Sequence, residues 1–244
     1  METPSTEGSS SDQRRPRSSI RIGRLLGIDV LVHWSFLVLL ALVIVAGASG
    51  GSREIIRGLL WVVAIFSCVL IHELAHCVVA LRDGVIVDDI LLLPIGGISQ
   101  MRSIPTVASE ELAIAAVGPL TSLGLAAVFA VAALISGAHL WPPTLLAGPW
   151  LVRLAWLNLI LGGFNLLPAL PMDGGRVLRA ALSMHEGRAR ATATAAKVAR
   201  VLAVMMIAVG LAIDVWLVLI GVFVLVAAGA EERSVGEEEP PSSR

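Results

Sequence analysis

The sequence SCVLIHELAHCVVA, residues 67–80, places two histidines and a glutamate inside a stretch that is otherwise apolar. In a helix, residues four apart lie on one face, so His72 and His76 can bind one metal ion together. Glu73 directly follows the first histidine, where a carboxylate can act as a general base beside the metal. Ionisable residues are costly in a membrane-spanning helix, and their presence there indicates a functional site. The stretch therefore predicts a metal site within or beside a bilayer.

The composition of the chain supports a membrane location independently of this motif. Hydrophobic residues make up 56% of the 244 residues and charged residues 15%, with a mean hydropathy of +0.85. Soluble domains usually carry about 25% charged residues. The charges are also clustered: residues 112–152 and 154–172 contain none, and residues 201–230 contain only Asp214. Apolar runs of this length are typical of transmembrane helices, each of which needs about 20 residues.

These runs predict an all-α polytopic membrane protein with about six transmembrane helices. The predicted spans are residues 28–48, 59–81, 111–136 and 145–167, followed by two short spans within residues 198–230 that are separated near Gly210 and Asp214. Arginines precede the first span, and the positive-inside rule places both termini in the cytoplasm. We expect an intramembrane domain, residues 25–230, between a disordered basic tail, residues 1–24, and a disordered acidic tail, residues 231–244. No aromatic interleaving or folded basic module accompanies the arginines, so no nucleic-acid partner is expected.

Residues 85–98 fit neither a membrane span nor an ordinary loop. The segment reads VIVDDILLLPIGGI, which is rich in β-branched residues around one proline and two glycines. This pattern predicts a small membrane-associated β segment of short strands joined by a turn. On the residues alone, a plain interfacial hairpin and a substrate-binding element are equally good interpretations.

A catalytic zinc site needs a third protein ligand besides the two histidines. The pattern H-E-x-x-H-x-x-G-x-x-H would supply it close downstream, but residues 79–83 read VALRD. The other candidates are Asp83, Asp88, Asp89, Glu110, Glu111, His139, Asp173, His185 and Asp214. Asp173 is the best of these, because Pro168 and Pro171 break the helix before it and two glycines follow it. Its side chain can therefore be directed inward from irregular backbone.

Two motifs that lie far apart in the chain carry a family resemblance. One is HELAH, residues 72–76, and the other is NLLPALPMDGGR, residues 165–176. Together they resemble the site-2 protease family of intramembrane zinc metalloproteases. Gly118-Pro119 and Gly96-Gly97 extend the resemblance over nearly the whole membrane region. H-E-x-x-H alone is moderately specific, whereas its combination with N-x-x-P-x-x-P-x-D-G-G is highly specific.

The resemblance implies a role for each of these polar residues. His72, His76 and Asp173 would bind one Zn²⁺ ion per chain. Glu73 would be the catalytic base. Asn165 would lie near the metal and hold the substrate or the developing oxyanion.

The resemblance also implies an activity and a class of substrate. The expected reaction is hydrolysis of peptide bonds in or near transmembrane segments of membrane-anchored proteins, as in regulated intramembrane proteolysis. Part of residues 85–93 would pair with the unwound substrate as an added strand. Plausible substrates are anti-sigma factors, other transcriptional regulators and remnant signal peptides. The high content of Ala, Val, Leu and Arg without any Tyr favours a bacterial cell membrane.

Two other functions compete with proteolysis. One is a catalytically silent membrane scaffold of the same fold, although every catalytic position matches the pattern. The other is a metal transporter, but transporters often show paired broken helices and this chain has one. Many family members carry a PDZ domain or a CBS pair. Neither is expected in this chain, which leaves the control of activity and the oligomeric state open.

Overall fold

Seven helices and one small sheet make up the part of the chain that the structure, a computed structural model, describes: residues 18–102, 105 and 107–238. The helices are α1 (Ser35–Gly47), α2 (Ser52–Arg82), α3 (Ala108–Ile135), α4 (Trp150–Asn165), α5 (Asp173–Glu186), α6 (Arg188–Ile213) and α7 (Val215–Glu238). The strands are β1 (Ser19–Leu25), β2 (Ile28–His33), β3 (Val87–Leu93) and β4 (Gly96–Met101). The helical class is thus largely as predicted, with more strand than expected.

The helices are those of a membrane protein. Within the described residues, three are long and apolar enough to cross a bilayer, namely α2, α3 and α6. Their outward faces carry large exposed apolar side chains such as Val63, Val128 and Val204, which suit contact with lipid. Each of the six predicted spans contains a helix. However, α1 has only 13 residues and α4 only 16, fewer than the about 20 that a span needs, so the count of six is not confirmed.

The N-terminal boundaries differ from the prediction. Residues 19–24, which we expected to be disordered, form most of β1, and the first predicted span begins as strand β2 rather than as helix. A two-residue turn joins the strands, and both its residues, Leu26 and Gly27, have positive φ, as a type I′ hairpin requires. The sequence did not predict this strand, because a short buried strand and the start of an apolar helix have similar compositions. Residues 1–17 of the predicted tail lie outside the described residues.

The sheet has the order β1-β2-β3-β4 and joins distant parts of the chain. Strands β1 and β2 pair antiparallel, β2 and β3 parallel, and β3 and β4 antiparallel. The strands predicted within residues 85–98 are confirmed as β3 and the start of β4. Both contact α2. Strand β3 has β2 on one side and β4 on the other, so the expectation that residues 85–93 take an added strand is wrong, and β4 forms the edge of the sheet instead. This edge therefore lies beside the helix that carries the histidines.

Close packing between neighbouring helices depends on two glycines, and one of them, Gly210, lies at a predicted break. A Cβ on Gly162 of α4 would lie 2.9 Å from the carbonyl oxygen of Pro119 in α3. A Cβ on Gly210 of α6 would lie 2.7 Å from the backbone nitrogen of Val218 in α7, so the predicted break near Gly210 and Asp214 is confirmed. At the other end, α7 continues through Glu238, so residues 231–238 are helical rather than disordered. Residues 239–244 lie outside the described residues.

Candidate metal centre

Three polar side chains from two helices meet inside the bundle. His72 and His76 lie one turn apart on α2, and Asp173 begins α5. The Nε2 atoms of the two histidines are 3.2 Å apart, and each is 3.2 Å from Oδ2 of Asp173. Both histidines are buried, with relative exposures of 3% and 4%. The structure therefore brings together three of the five residues that the sequence singled out for the site.

Helix α3 orients both imidazole rings from the opposite side. Nδ1 of His76 lies 2.6 Å from the carbonyl oxygen of Ile114, which can only accept a hydrogen bond. Nδ1 of His76 therefore carries the proton and donates it, and the lone pair of the neutral ring lies on Nε2. Nδ1 of His72 lies 2.9 Å from Oγ of Ser122, a residue with no exposed surface. Such partners set ring orientation and raise the basicity of the ligand nitrogen.

A glycine makes room for the second histidine. A Cβ built on Gly118 of α3 would lie 2.1 Å from Nε2 of His76, far inside van der Waals contact. Gly118 thus lets the ring lie directly against the backbone of α3. The sequence alone does not show which side chain lies against this glycine.

The two glycines after Asp173 let the first turn of α5 pack on the irregular segment before it. A Cβ on Gly174 would lie 2.3 Å from the carbonyl oxygen of Leu166, and one on Gly175 would lie 2.4 Å from the backbone nitrogen of Leu170. Any larger residue would push the helix away from that segment. The Asp-Gly-Gly sequence therefore positions the aspartate by backbone packing, which agrees with the expectation that it projects inward from a broken helix.

A cavity of about 590 Å³ is lined by His72, His76 and Asp173. Glu73 and Asn165 line the same cavity. Ser99 of β4 donates a hydrogen bond from Oγ to Oε2 of Glu73 over 2.5 Å. Asn165 donates from Nδ2 to the carbonyl oxygen of Leu161, one turn back in its own helix. Its amide is therefore partly engaged, although it lies at the cavity wall as expected.

An ion pair next to the centre escaped the sequence analysis. Glu111 of α3 accepts hydrogen bonds from Nε and Nη2 of Arg179 in α5, at 2.9 and 2.5 Å. The two side chains are 3% and 1% exposed. Glu111 was considered only as a possible third ligand, and in the structure its carboxylate is occupied by the arginine. The pair connects the helix that begins with Asp173 to the helix that orients the histidines.

The donor set fits zinc. Zinc binds imidazole nitrogen and carboxylate oxygen at about 2.0–2.2 Å in tetrahedral geometry, which separates neighbouring ligand atoms by about 3.3 Å. The three donor atoms lie 3.2 Å from one another. With Nε2 of His76 unprotonated, its lone pair lies 3.2 Å from a carboxylate oxygen of Asp173, and a bound cation would stabilise this approach of two acceptors. Two histidines and one carboxylate also leave a fourth position for water or substrate.

The fold and the donor set are those of a membrane protein with a buried candidate metal site, which lies in the same cavity as Glu73. The chain belongs to peptidase family M50, whose family model matches residues 60–142 and 144–209.

Similar proteins agree with this assignment. The chain is 39% identical over 221 residues to a protein named zinc metalloprotease MJ0392 from Methanocaldococcus jannaschii, covering 90% of this chain and 62% of that protein. It is 38% identical over 241 residues to Rip3 of Mycobacterium tuberculosis, covering 91% of this chain and 61% of that protein. The chain thus spans less than two thirds of the length of these relatives.

A solved structure has the same fold. It is described as the site-2 protease from Methanocaldococcus jannaschii and matches with a TM-score of 0.62 and 36% identity. The match covers 88% of this chain and 95% of that one. The resemblance inferred from the two motifs is therefore confirmed at the level of the family.

Proposed function

We propose that the chain is an intramembrane zinc metalloprotease that cleaves peptide bonds in or near transmembrane segments of membrane-anchored proteins. The observation that carries the proposal is the convergence of His72, His76 and Asp173 in a cavity that Glu73 also lines. The family assignment supports it, and so does the helical setting of the site. In this proposal the three residues hold one Zn²⁺ ion per chain.

The residues of this chain divide the chemistry between them. A zinc ion held by His72, His76 and Asp173 would supply a Lewis acid for the scissile carbonyl and would lower the pKa of water at the site. Glu73 accepts the proton of the attacking water and returns it to the leaving amine. Ser122 and the Ile114 carbonyl hold the histidines in the ligand orientation throughout. Asn165 contacts the substrate or the developing oxyanion after its amide turns from Leu161 into the cavity.

The same proposal includes a membrane topology and a substrate class. We infer six spans, in which local thinning of the bilayer accommodates the short helices α1 and α4, with both termini in the cytoplasm of a bacterial cell. Residues 25–230 then form the intramembrane domain. The substrate is a membrane-anchored regulator such as an anti-sigma factor, cleaved in regulated intramembrane proteolysis. These points rest on the apolar runs, the arginines before the first span and the family resemblance.

The test is cleavage of a single-pass model substrate by the purified protein in liposomes, with Glu73→Gln as the diagnostic variant. We expect cleavage by the wild type and a fall of about 10²–10⁴-fold in Glu73→Gln, because proton transfer by the base is lost. Zinc content should be unchanged, since no ligand is altered. Glu54→Gln is the matched control, because Glu54 lies on the same helix and pairs with Arg57 at the surface.

The outcome also separates the alternative functions. Equal cleavage by wild type and Glu73→Gln would contradict the proposed role of the glutamate. No cleavage by zinc-loaded wild type would favour the silent scaffold. Zinc flux into the liposomes that persists in Glu73→Gln would favour the transporter.

A further inference from the structure

Strand β4 contacts Glu73 through two residues on one face of the strand. Gly97 and Ser99 are two apart, so both side-chain positions point the same way. The hydroxyl of Ser99 donates to Oε2 of Glu73 over 2.5 Å. A Cβ on Gly97 would lie 2.6 Å from Cγ of the glutamate, so the glycine leaves the space that the side chain fills. The glutamate of α2 is thus held against the edge of the sheet.

The contact between Ser99 and Glu73 restrains the side chain of the proposed general base. A glutamate side chain has several rotatable bonds, whereas a general base must stay within hydrogen-bond reach of the proton that it accepts. A hydrogen bond to one carboxylate oxygen restrains the rotamer and leaves Oε1 able to take the proton. The hydroxyl of Ser99 supplies such a restraint from outside the helix that carries the glutamate.

We propose that Ser99 is a positioning residue that orients Glu73 for proton transfer during cleavage of a peptide substrate. The proposal rests on the proposed proteolytic function. It deepens that function by assigning a role to a residue that is neither a metal ligand nor part of either sequence motif.

The position of β4 in the sheet brings the contact between Ser99 and Glu73 close to a peptide bound at the sheet edge. Ser99 is in register with Ile90 of β3, and the other edge of β4 has no strand partner within the described residues. Residues 96–99 also line the cavity that contains Glu73 and Asp173. A peptide segment bound along this edge therefore contacts the same strand that holds the base.

The experiment measures kcat and KM separately for the zinc-loaded protein in liposomes with the single-pass model substrate. Ser99→Ala removes the hydroxyl, and we expect kcat to fall about 10- to 100-fold, with KM and zinc content within about twofold of wild type. Ser99→Thr keeps a hydroxyl and should restore most of kcat, whereas Ser99→Val, which has the same shape without the hydroxyl, should not. Ser67→Ala is the matched control, because the hydroxyl of Ser67 only bonds the Val63 carbonyl in the same helix.

Each outcome decides the role of Ser99. Equal kcat for the Thr and Val variants would overturn it, because the hydroxyl would then be irrelevant. Loss of zinc from Ser99→Ala would overturn it as well, since the serine would then act on the metal site. An inactive wild type would instead reject the proposed function and with it the role. An active wild type with unchanged Ser99→Ala would reject the role alone.

Discussion

The candidate metal centre and the four-stranded sheet both contain buried ionisable side chains, but the partners of these side chains differ. At the centre, Glu111 meets Arg179, and the two histidines meet Asp173 together with acceptors on α3. In the sheet, Asp29 and Asp89 lie opposite each other across parallel strands, and the partly buried Asp29 pairs with Arg21. Asp89 is 8% exposed, and its Oδ1 has no hydrogen-bond partner within the described residues.

Burial of an ionisable group does not by itself mark a functional site. In the sheet, burial and then the charges of Asp88 and Asp29 raise the pKa of Asp89, so the folded chain favours the neutral carboxyl. At the centre, each buried group has a partner that sets its direction, and the donor atoms converge on one point. Mutual orientation, rather than burial, distinguishes the candidate metal centre.

The largest effect should come from breaking the buried ion pair at the centre. Glu111→Gln leaves the Arg179 guanidinium buried without its counter-charge, and we expect a loss of about 3–5 kcal/mol in the free energy of unfolding. Glu54→Gln breaks an exposed pair with Arg57 and should cost about 1 kcal/mol or less. Thermal unfolding in detergent compares the two variants. Similar melting temperatures for both would mean that the buried pair does not hold α3 and α5 together.

A smaller and more local effect is expected from closing the space beside His76. Gly118→Ala places a methyl group on the ring, and we expect zinc affinity to fall by about 100-fold as the ring is displaced. Gly124→Ala on the same helix is the control, because nothing lies within 4 Å of its Cβ. That control should keep its zinc affinity and gain about 0.5–1 kcal/mol in stability from the helix propensity of alanine. Competition titration with a chelator measures the zinc affinity of both variants, and thermal unfolding measures their stability. Unchanged zinc affinity in Gly118→Ala would mean that the His76 ring does not lie against Gly118.

The smallest effect is expected from Asp89→Asn in the sheet, which should raise the stability of the protein rather than lower it. Because the pKa of Asp89 is raised on folding, the wild type loses stability as pH rises through that pKa. Asp89→Asn removes this titration. We therefore expect a gain of about 1 kcal/mol at pH 8, equivalent to about 2–4 °C in melting temperature for a chain of this size. The gain should shrink as pH falls and Asp89 of the wild type becomes protonated; a gain independent of pH would contradict the account.

Much of this arrangement could be predicted from the sequence. The apolar runs locate the helices, and the prolines and glycines before α5 mark the irregular segment that positions Asp173. The sequence singled out His72, His76 and Asp173, and the structure brings them together although Asp173 lies 101 residues beyond His72. Their role as zinc ligands stays a prediction.

The partners of these residues could not be predicted, because they depend on which helix faces which. The Ile114 carbonyl is a backbone group that leaves no mark in the sequence. Ser122 lies four residues after Gly118, on the same face of α3, so the glycine was a signal that could have drawn attention to it. The pairing of β2 with β3 joins segments about 60 residues apart, and no local pattern specifies such a contact.

The most direct test of the central claim is the zinc stoichiometry of detergent-purified wild type, Asp173→Ala and His76→Ala. His139→Ala serves as the control, because this histidine is exposed and far from the centre in sequence. We expect about one zinc per chain in the wild type and in His139→Ala, and loss of zinc in Asp173→Ala and His76→Ala. Zinc retained in Asp173→Ala would show that the third ligand lies elsewhere, and a wild type without zinc after expression with added metal would contradict the metal centre itself.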